Sequence, residues 1–477
     1  MHAVDVAVLD IKRLSLEELA DVEVYSASRR SESLQGVPSA IFVLTNEDIR
    51  RSRVRSIPDA LRLIPGVQVA RIDGNKWGVS IRGFLGLAGG GNARLANKLL
   101  VLVDGRSIYD PLFGGTFWEA QDRMLSDIDR IEVIRGPGGA LWGTNAVNGV
   151  INIVTKHARE TEGGLVELGG GTEERAFGDA RYGWKIGDNQ HARVYAKSLK
   201  RDTGWSPSYN PHDALSMYRT GFRWDREDGT RDSLRVSGDW FGVDASQRSS
   251  ATVTDNVDHN GGNLITQWQR KLSATENLRV QLYYDYYDYG AQGLTEERNT
   301  YDIELQHSLL WLERHNVVWG LGYRHTRDHI GVLASAIEPS RRTDVTESAF
   351  FQDTIELVPE RINFTLGAKF EHNDYTDNEW QPSARLAWTP NEKEAWWAAV
   401  SRAVRIPTRL EADIVCRNPA TCTVGTRLGD GIVTEKVHAY ELGHRRLLAK
   451  DLWWDLATFY NDYEELVTVE IGSVLQN

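Results

Sequence analysis

Residues 132–143 read EVIRGPGGALWG. The opening residues have strand character, with Glu132 and Arg135 on opposite faces, and the Gly-Pro-Gly-Gly after them forces a sharp turn. A glycine run can cradle a phosphate, because backbone N–H groups approach an anion closely there. The details oppose that reading. A P-loop would close on Gly-Lys-Ser or Gly-Lys-Thr, and a dinucleotide site would open a helix with an acidic residue ~20 positions on. Here the chain passes through Ala140 to Asn148 into VINIVTK at 150–156, which is strand-like. The stretch predicts a strand, a crowded turn and a second strand.

The surrounding residues 1–156 read as a compact mixed α+β unit. Ser56, followed by Ile57, Pro58 and Asp59, starts a helix with proline in its first turn, and Leu61 and Ile64 give it an apolar stripe. Pro65 and Gly66 end it. A shorter helix starts at Thr45, with Asp48 three residues on. Strands are predicted at SAIFVLT from Ser39, VQVAR from Val67, VSIRG from Val79, LLVLVDG from Leu99 and IDRIEVIRG from Ile128.

After about Gly163 the helical signals fade and two-residue alternation takes over. INFTLGAKF sets Ile362, Phe364, Leu366, Ala368 and Phe370 on one face and Asn363, Thr365, Gly367 and Lys369 on the other. LRVQLYYDYYDYG from Leu278 and SLRVSGDW from Ser233 alternate likewise. A soluble sandwich would also alternate. The strands recur without a second helical layer, however, and aromatics crowd their ends: Trp388, Trp396, Trp397, Trp453, Trp454 and Tyr460. Aromatic girdles of a membrane barrel have this look.

Composition narrows the function. The chain of 477 residues carries a net charge of −12, which opposes nonspecific nucleic-acid binding. No run of 18 apolar residues proposes a membrane helix, but barrel strands cross lipid with ~10 alternating residues and leave little trace in average hydropathy. The two cysteines, Cys416 and Cys422, permit one small loop disulfide. A secreted β-rich glycosidase would need two placed carboxylates, and no acidic residue sits in a recognisable catalytic setting. His325 and His329 have a helical metal spacing, but on a strand-like segment, so neither a metal nor a cofactor is expected.

The chain resembles TonB-dependent outer-membrane receptors. The residues that carry the resemblance are VSIRGF (79–84), VLVDGRSIYDP (101–111) and, above all, IDRIEVIRGPGGALWGTNAVNGVINIVTK (128–156), with weaker support from QPSARLAWTP (381–390), AAVSRAVRIPT (398–408) and YELGHR (440–445). The resemblance implies an α+β plug domain inside a transmembrane antiparallel β-barrel, 22-stranded in the family. It divides the chain into an N-terminal segment (1–24), a plug (25–156) and a partial barrel (163–477). The implied activity is active import rather than enzymatic: a scarce ligand, most often a ferric siderophore, with cobalamin, haem or oligosaccharides as alternatives, enters across the outer membrane. TonB, with the inner-membrane ExbB–ExbD motor, pulls on the plug, and outer-membrane lipid surrounds the barrel. A passive barrel or surface receptor (porin, adhesin, or phage or bacteriocin receptor) is the rival reading, and residues 1–156 oppose it.

Three features depart from the family pattern and predict a fragment or the product of a disrupted gene. MHAVDVAVLD lacks a signal-peptide core, residues 163–477 hold only about 12 to 16 strands, and the chain ends in VLQN rather than an aromatic residue.

The resemblance also assigns residues. DVEVYSAS (21–28) is similar to a TonB box, which makes Asp21, Val22, Glu23, Val24 and Tyr25 the expected TonB contact, with the plug's own first strand as the plainer reading. The arginines of IRG and RGP, Arg82 and Arg135, are expected to pair with a barrel-wall glutamate such as Glu441. Ligand contact falls to the loops after VSIRGF and VDG, with Arg106, Tyr109 and Trp118 as candidates and Phe113 and Phe117 expected to pack the plug against the wall.

Overall fold

The computed structural model describes residues 23–30, 32–33, 36–85, 96–205, 207, 211–229, 231–248, 254–291, 293–332, 336–415, 431–449 and 452–467. The EVIRG strand is the spine of the N-terminal unit. Ile128–Arg135 pairs with Ile41–Thr45 on one side and with Gly149–Thr155 on the other, both antiparallel. Gly149–Thr155 then runs parallel to Leu99–Val103, and Arg106–Ser107 turns back at the sheet edge. A separate hairpin joins Val67–Arg71 to Trp77–Ile81.

Two helices cover one face of this sheet, and both begin at the predicted caps. The Thr45 side chain accepts from Asp48 N while Asp48 reaches back to Thr45 N, opening helix Asn46–Ser52. Ser56 accepts from Asp59 N, opening helix Ile57–Leu61 with Pro58 in its first turn. Ile49, Ile57, Leu61 and Ile64 bury against Val101, Val133, Ile151 and Ile153 of the sheet. At ~25 cal/mol per Å² of apolar area, this packing supplies the main stabilisation of the small unit.

Among the described residues from Gly163 to Glu464 the chain builds a wall of 15 strands, nearly all joined to the next in sequence and all antiparallel. Short turns close one end (187–189, 228–231, 272–275, 312–314), and the other end carries the three longest connections (202–214, 333–340, 406–434) beside short ones (170–173, 292–293, 374–376). Gly163–Gly169 and Leu452–Glu464 stand at the two edges of this sheet and do not pair with each other, so the wall is not closed among the described residues.

The wall inverts the burial pattern of a soluble sheet. Leu366 and Phe370 point outward, 45% and 40% exposed, while their neighbours Thr365, Lys369 and Glu371 are buried against the interior. Leu282 and Trp240 are likewise exposed, and Gln281 is buried. An apolar exterior around a polar interior is what a hydrocarbon solvent requires. Exposed Trp184, Trp311, Trp388, Trp396 and Trp454 gather at the short-turn end, as an interfacial belt does. Trp397 departs from the expected girdle. It faces inward and is buried against Ala40 of the plug and Ala399, because it follows Trp396 by one residue and so takes the opposite face.

Candidate functional site

The glycine turn is shaped by the wall beside it. Gly136 has φ +141°, and a Cβ there would lie 2.6 Å from Glu441 Oε1 and 3.1 Å from Arg82 Nη1. Gly143, φ +87°, presses on the Glu371 carboxylate in the same way. Thr144 N donates to Glu371 Oε2 at 2.6 Å, and Gln381 Nε2 donates to that oxygen at 2.9 Å. Residues 139–142, read from sequence as part of a turn, form one helical turn, Gly139–Trp142. Glycine serves here to let backbone approach wall carboxylates, which is a different use from cradling an anion.

Arg82 and Glu441 meet. Arg82, at φ 55°, donates through Nη2 to Glu441 Oε1 and to the Arg135 carbonyl (2.6 Å), and its guanidinium lies 4.1 Å from the Phe459 ring centroid. Arg135 does not join this pair. Its Nη1 donates to Pro65 O at 3.2 Å, and among the described residues it has no ion pair. Arg82 already occupies the carboxylate, and Arg135 lies where burial holds its guanidinium below its ordinary value.

Other charge pairs ring the plug. Lys98 Nζ meets Glu435 at 2.6 Å, Arg123 meets Asp239 at 2.6 Å, Asp122 meets Lys197 at 3.0 Å and Arg29 meets Glu304 at 2.6 Å. Burial pushes the Lys98 ammonium down, against the pull of Glu435. Such pairs fix position more than they stabilise, since desolvation offsets much of their attraction.

Of the N-terminal candidates, Glu23, Val24 and Tyr25 are described, and they lie against the plug. Asp21 and Val22 lie outside the described residues. Glu23–Val24 pairs with Glu32–Ser33 for two residues, and the chain then turns. Val24 is fully buried. The fully buried Glu132 accepts from Tyr25 N at 3.2 Å, from Ser26 N at 2.7 Å and from Ser26 Oγ. Trp142 Nε1 donates to Ser26 O at 2.9 Å. The expected continuous strand over 21–28 is thus interrupted at Tyr25, because the Glu132 carboxylate gathers the backbone N–H groups of residues 25 and 26 into a turn. Glu132 and Trp142, at opposite ends of EVIRGPGGALW, hold this segment together.

Beside the plug lies a cavity of about 850 Å³. It runs from Asp374 and Tyr375 at the long-loop end to Ala274 and Thr275 at the short-turn end. Arg106 and Tyr109 both line it. Arg106 Nη1 donates to Asp285 at 2.7 Å and Tyr109 Oη donates to Asn97 O at 3.1 Å. Trp118 does not line it. The ring belongs to the plug core with Ile57 and Val101, because the short 3-10 helix Trp118–Gln121 turns it inward. Phe113 and Phe117 pack edge to face at 5.5 Å and meet Tyr289 of the wall. Cys416 and Cys422 lie outside the described residues, as does 86–95 of the glycine-rich loop.

Sequence reasoning missed the wall side of the cavity, where Arg279, Arg298, Arg324 and Lys369 point inward. The signal was present in TEERNTYDIELQHS, whose alternate residues Glu296, Arg298, Thr300, Asp302, Glu304 and Gln306 are polar throughout. Arg298 donates to Asp110 of the plug at 3.0 Å. His325 and His329 sit on strand His315–Val332, and among the described residues no cluster suited to a metal is found.

The comparisons agree with this architecture. The model of the TonB-dependent receptor plug domain matches residues 33–150, and that of the TonB-dependent receptor-like β-barrel matches 166–476. The vitamin B12 transporter BtuB of Vibrio vulnificus is 29% identical over 273 residues, 54% of this chain and 43% of that protein. The match thus spans less than half the length of that relative. The ferric enterobactin receptor of Pseudomonas aeruginosa is 25% identical over an alignment covering 96% of this chain and 72% of that one. Among solved structures, the siderophore receptor PirA from Pseudomonas aeruginosa superposes with a TM-score of 0.70 at 17% identity, covering 91% of this chain and 76% of that one. The ferric yersiniabactin uptake receptor FyuA from Yersinia pestis gives 0.71 at 16% identity, covering 90% and 73%. At those identities the structures speak for the fold, a plug beside a β-barrel wall. With both domain models matched in order along nearly the whole chain, the protein belongs to the TonB-dependent receptors of the outer membrane.

Proposed function

We propose that this protein serves energised import of a ferric siderophore, with TonB and the ExbB–ExbD motor as partners. The observation that carries the reading is the cavity between plug and wall, which runs from the long-loop end to the short-turn end. Its lining includes the cations Arg106, Arg298 and Arg324 and the aromatics Tyr109 and Tyr283, beside the acids Asp285, Asp110 and Asp302 that pair with those arginines; arginines and aromatics released from such pairs suit an anionic, partly planar chelate. Charge pairs such as Arg106–Asp285 and Arg298–Asp110 bridge plug and wall across it, so passage requires the plug to shift. The relatives named above as receptors of ferric enterobactin and ferric yersiniabactin support this ligand class, and the vitamin B12 transporters supply its competitor.

On this reading Arg82 and Glu441 seat the plug, Arg106 and Tyr109 face ligand, and residues 21–25 add as a strand to TonB. Val24 and Tyr25 must first leave Glu132 and the plug core. The domain division at 24, 156 and 163 follows from the same reading. The test is titration of the purified receptor with ferric enterobactin and, separately, with vitamin B12. Tight binding of the ferric chelate, weakened ten- to a hundredfold by Arg106→Ala through loss of a charge-assisted bond worth ~1.5–3 kcal/mol, is expected. Tighter binding of vitamin B12 would overturn the ligand class.

A further inference from the structure

In the cavity between plug and wall, Arg29, Arg106, Arg298 and Arg324 each meet a carboxylate. Lys369 does not. It lines the same cavity and is 6% exposed, yet its ammonium makes no hydrogen bond or ion pair among the described residues. The charged groups that act on it most strongly are Glu371, Arg29, Glu304 and Arg324. Both carboxylates are engaged elsewhere. Glu304 holds Arg29 at 2.6 Å, and Glu371 accepts from Thr144 N at 2.6 Å and from Gln381 Nε2 at 2.9 Å. On strand Ile362–Asn373, Lys369 lies between the outward-facing Leu366 and Phe370, so it sits inside the wall at hydrocarbon depth. A cation at that depth is costly, and one that faces a cavity marks the path of a substrate or ion.

Neutral donors stand beside it. Ser348 pairs in register with Glu371, the next inward-facing residue from Lys369 toward the long-loop end, and Thr346 pairs with Asn373, the one after. Both side chains line the cavity, and neither hydroxyl makes a hydrogen bond among the described residues. Gly322 lies opposite Ser348 on the adjoining strand, where a Cβ would come within 2.7 Å of Ser348 Oγ. Glycine there leaves that hydroxyl its place at the cavity wall. An ammonium and two hydroxyls on neighbouring strands offer three donor groups to one anionic oxygen group, and bonds to a charged acceptor are the stronger kind. These residues all belong to the wall, whereas Arg106 and Tyr109 belong to the plug.

We propose that Lys369, with Ser348 and Thr346, forms a second anion subsite on the wall, which takes an anionic oxygen group of the ferric chelate as it passes the plug. The assignment of the chelate rests on the import reading, and the test separates the two. Crystals of the full chain soaked in selenate should show a selenium anomalous peak within hydrogen-bond distance of Lys369 Nζ. Lys369→Met should abolish that peak and Lys369→Arg should keep it, and the same maps show whether Glu371 still meets Thr144 in each variant. In iron-starved cells given ferric enterobactin, Lys369→Met should lower the maximal uptake rate about tenfold, as loss of one charge-assisted bond would. Lys369→Arg should restore the rate, while the half-saturating concentration stays within about twofold in both variants. No peak at Lys369, or a peak that persists in Lys369→Met as an adventitious ion only, would overturn the subsite. Uptake unchanged by Lys369→Met would overturn its part in passage. A wild type that shows the Lys369-dependent peak but imports no ferric enterobactin would overturn the chelate as the ligand and uphold the anion subsite.

Discussion

The Arg82 guanidinium bridges the Glu441 carboxylate of the wall and the Arg135 carbonyl of the plug, and both charged side chains are 5% exposed. One arginine thus ties the IRG and RGP turns to a single barrel residue. Arg82→Ala leaves a buried carboxylate unpaired, at ~3–5 kcal/mol. Arg135→Ala removes one hydrogen bond to a carbonyl, at ~0.5–1.5 kcal/mol. Urea midpoints for plug release in detergent should fall in that order, and entry of a large antibiotic into cells should rise in the same order. A larger effect from Arg135→Ala would remove Arg82 from the role of lock.

Gly136→Ala places a methyl group against the same carboxylate and forces a side chain onto φ +141°. The variant should loosen the plug at least as much as Glu441→Ala does. Combining the two should cost less than their sum, because the clash partner is gone. Strict additivity of the two losses would show that Gly136 acts elsewhere.

Glu132 holds the N-terminal turn through backbone bonds to Tyr25 and Ser26. Glu132→Ala leaves two buried N–H groups unsatisfied, at ~1–3 kcal/mol each. A spin label at the half-buried Arg30 should become mobile in that variant while the Arg82 lock and the fold persist. An immobile label would show that Trp142 and Val24 hold the turn alone.

The wall's two faces make opposite demands. Leu366→Arg puts a charge on the outward face near mid-strand, where ~2–4 kcal/mol is expected at the bilayer midplane. Thr365→Ser, on the inward face of the same strand, should be nearly silent. Assembly yield in outer membranes separates the two, and equal yields would contradict a lipid-facing exterior.

Local features of this fold were legible in the sequence. The Thr45 and Ser56 caps, the plug strands and the alternation of 362–370 each depend on residues within a turn or two of one another. Long-range partners were less legible. Arg82 and Glu441 are 359 residues apart, and nothing local shows that Arg135, in the more specific motif, is the arginine left out. Trp118 and Trp397 were misplaced for a related reason. An aromatic beside a loop or strand end fits ligand, lipid or core equally well until the phase of its element is fixed. The inward cations Arg298 and Arg324 stood in plain alternation, but alternation does not say which face is wet.

Energised import is tested most directly by uptake of radiolabelled iron, carried by enterobactin, into iron-starved cells expressing the receptor with or without Val22→Pro. Proline at that position removes an N–H needed for strand addition and lies before the buried residues Val24 and Ser26. Surface binding of the chelate should persist while uptake falls to the level of cells lacking TonB. Uptake that continues unchanged, or binding lost together with uptake, would contradict a TonB-driven receptor working through this segment.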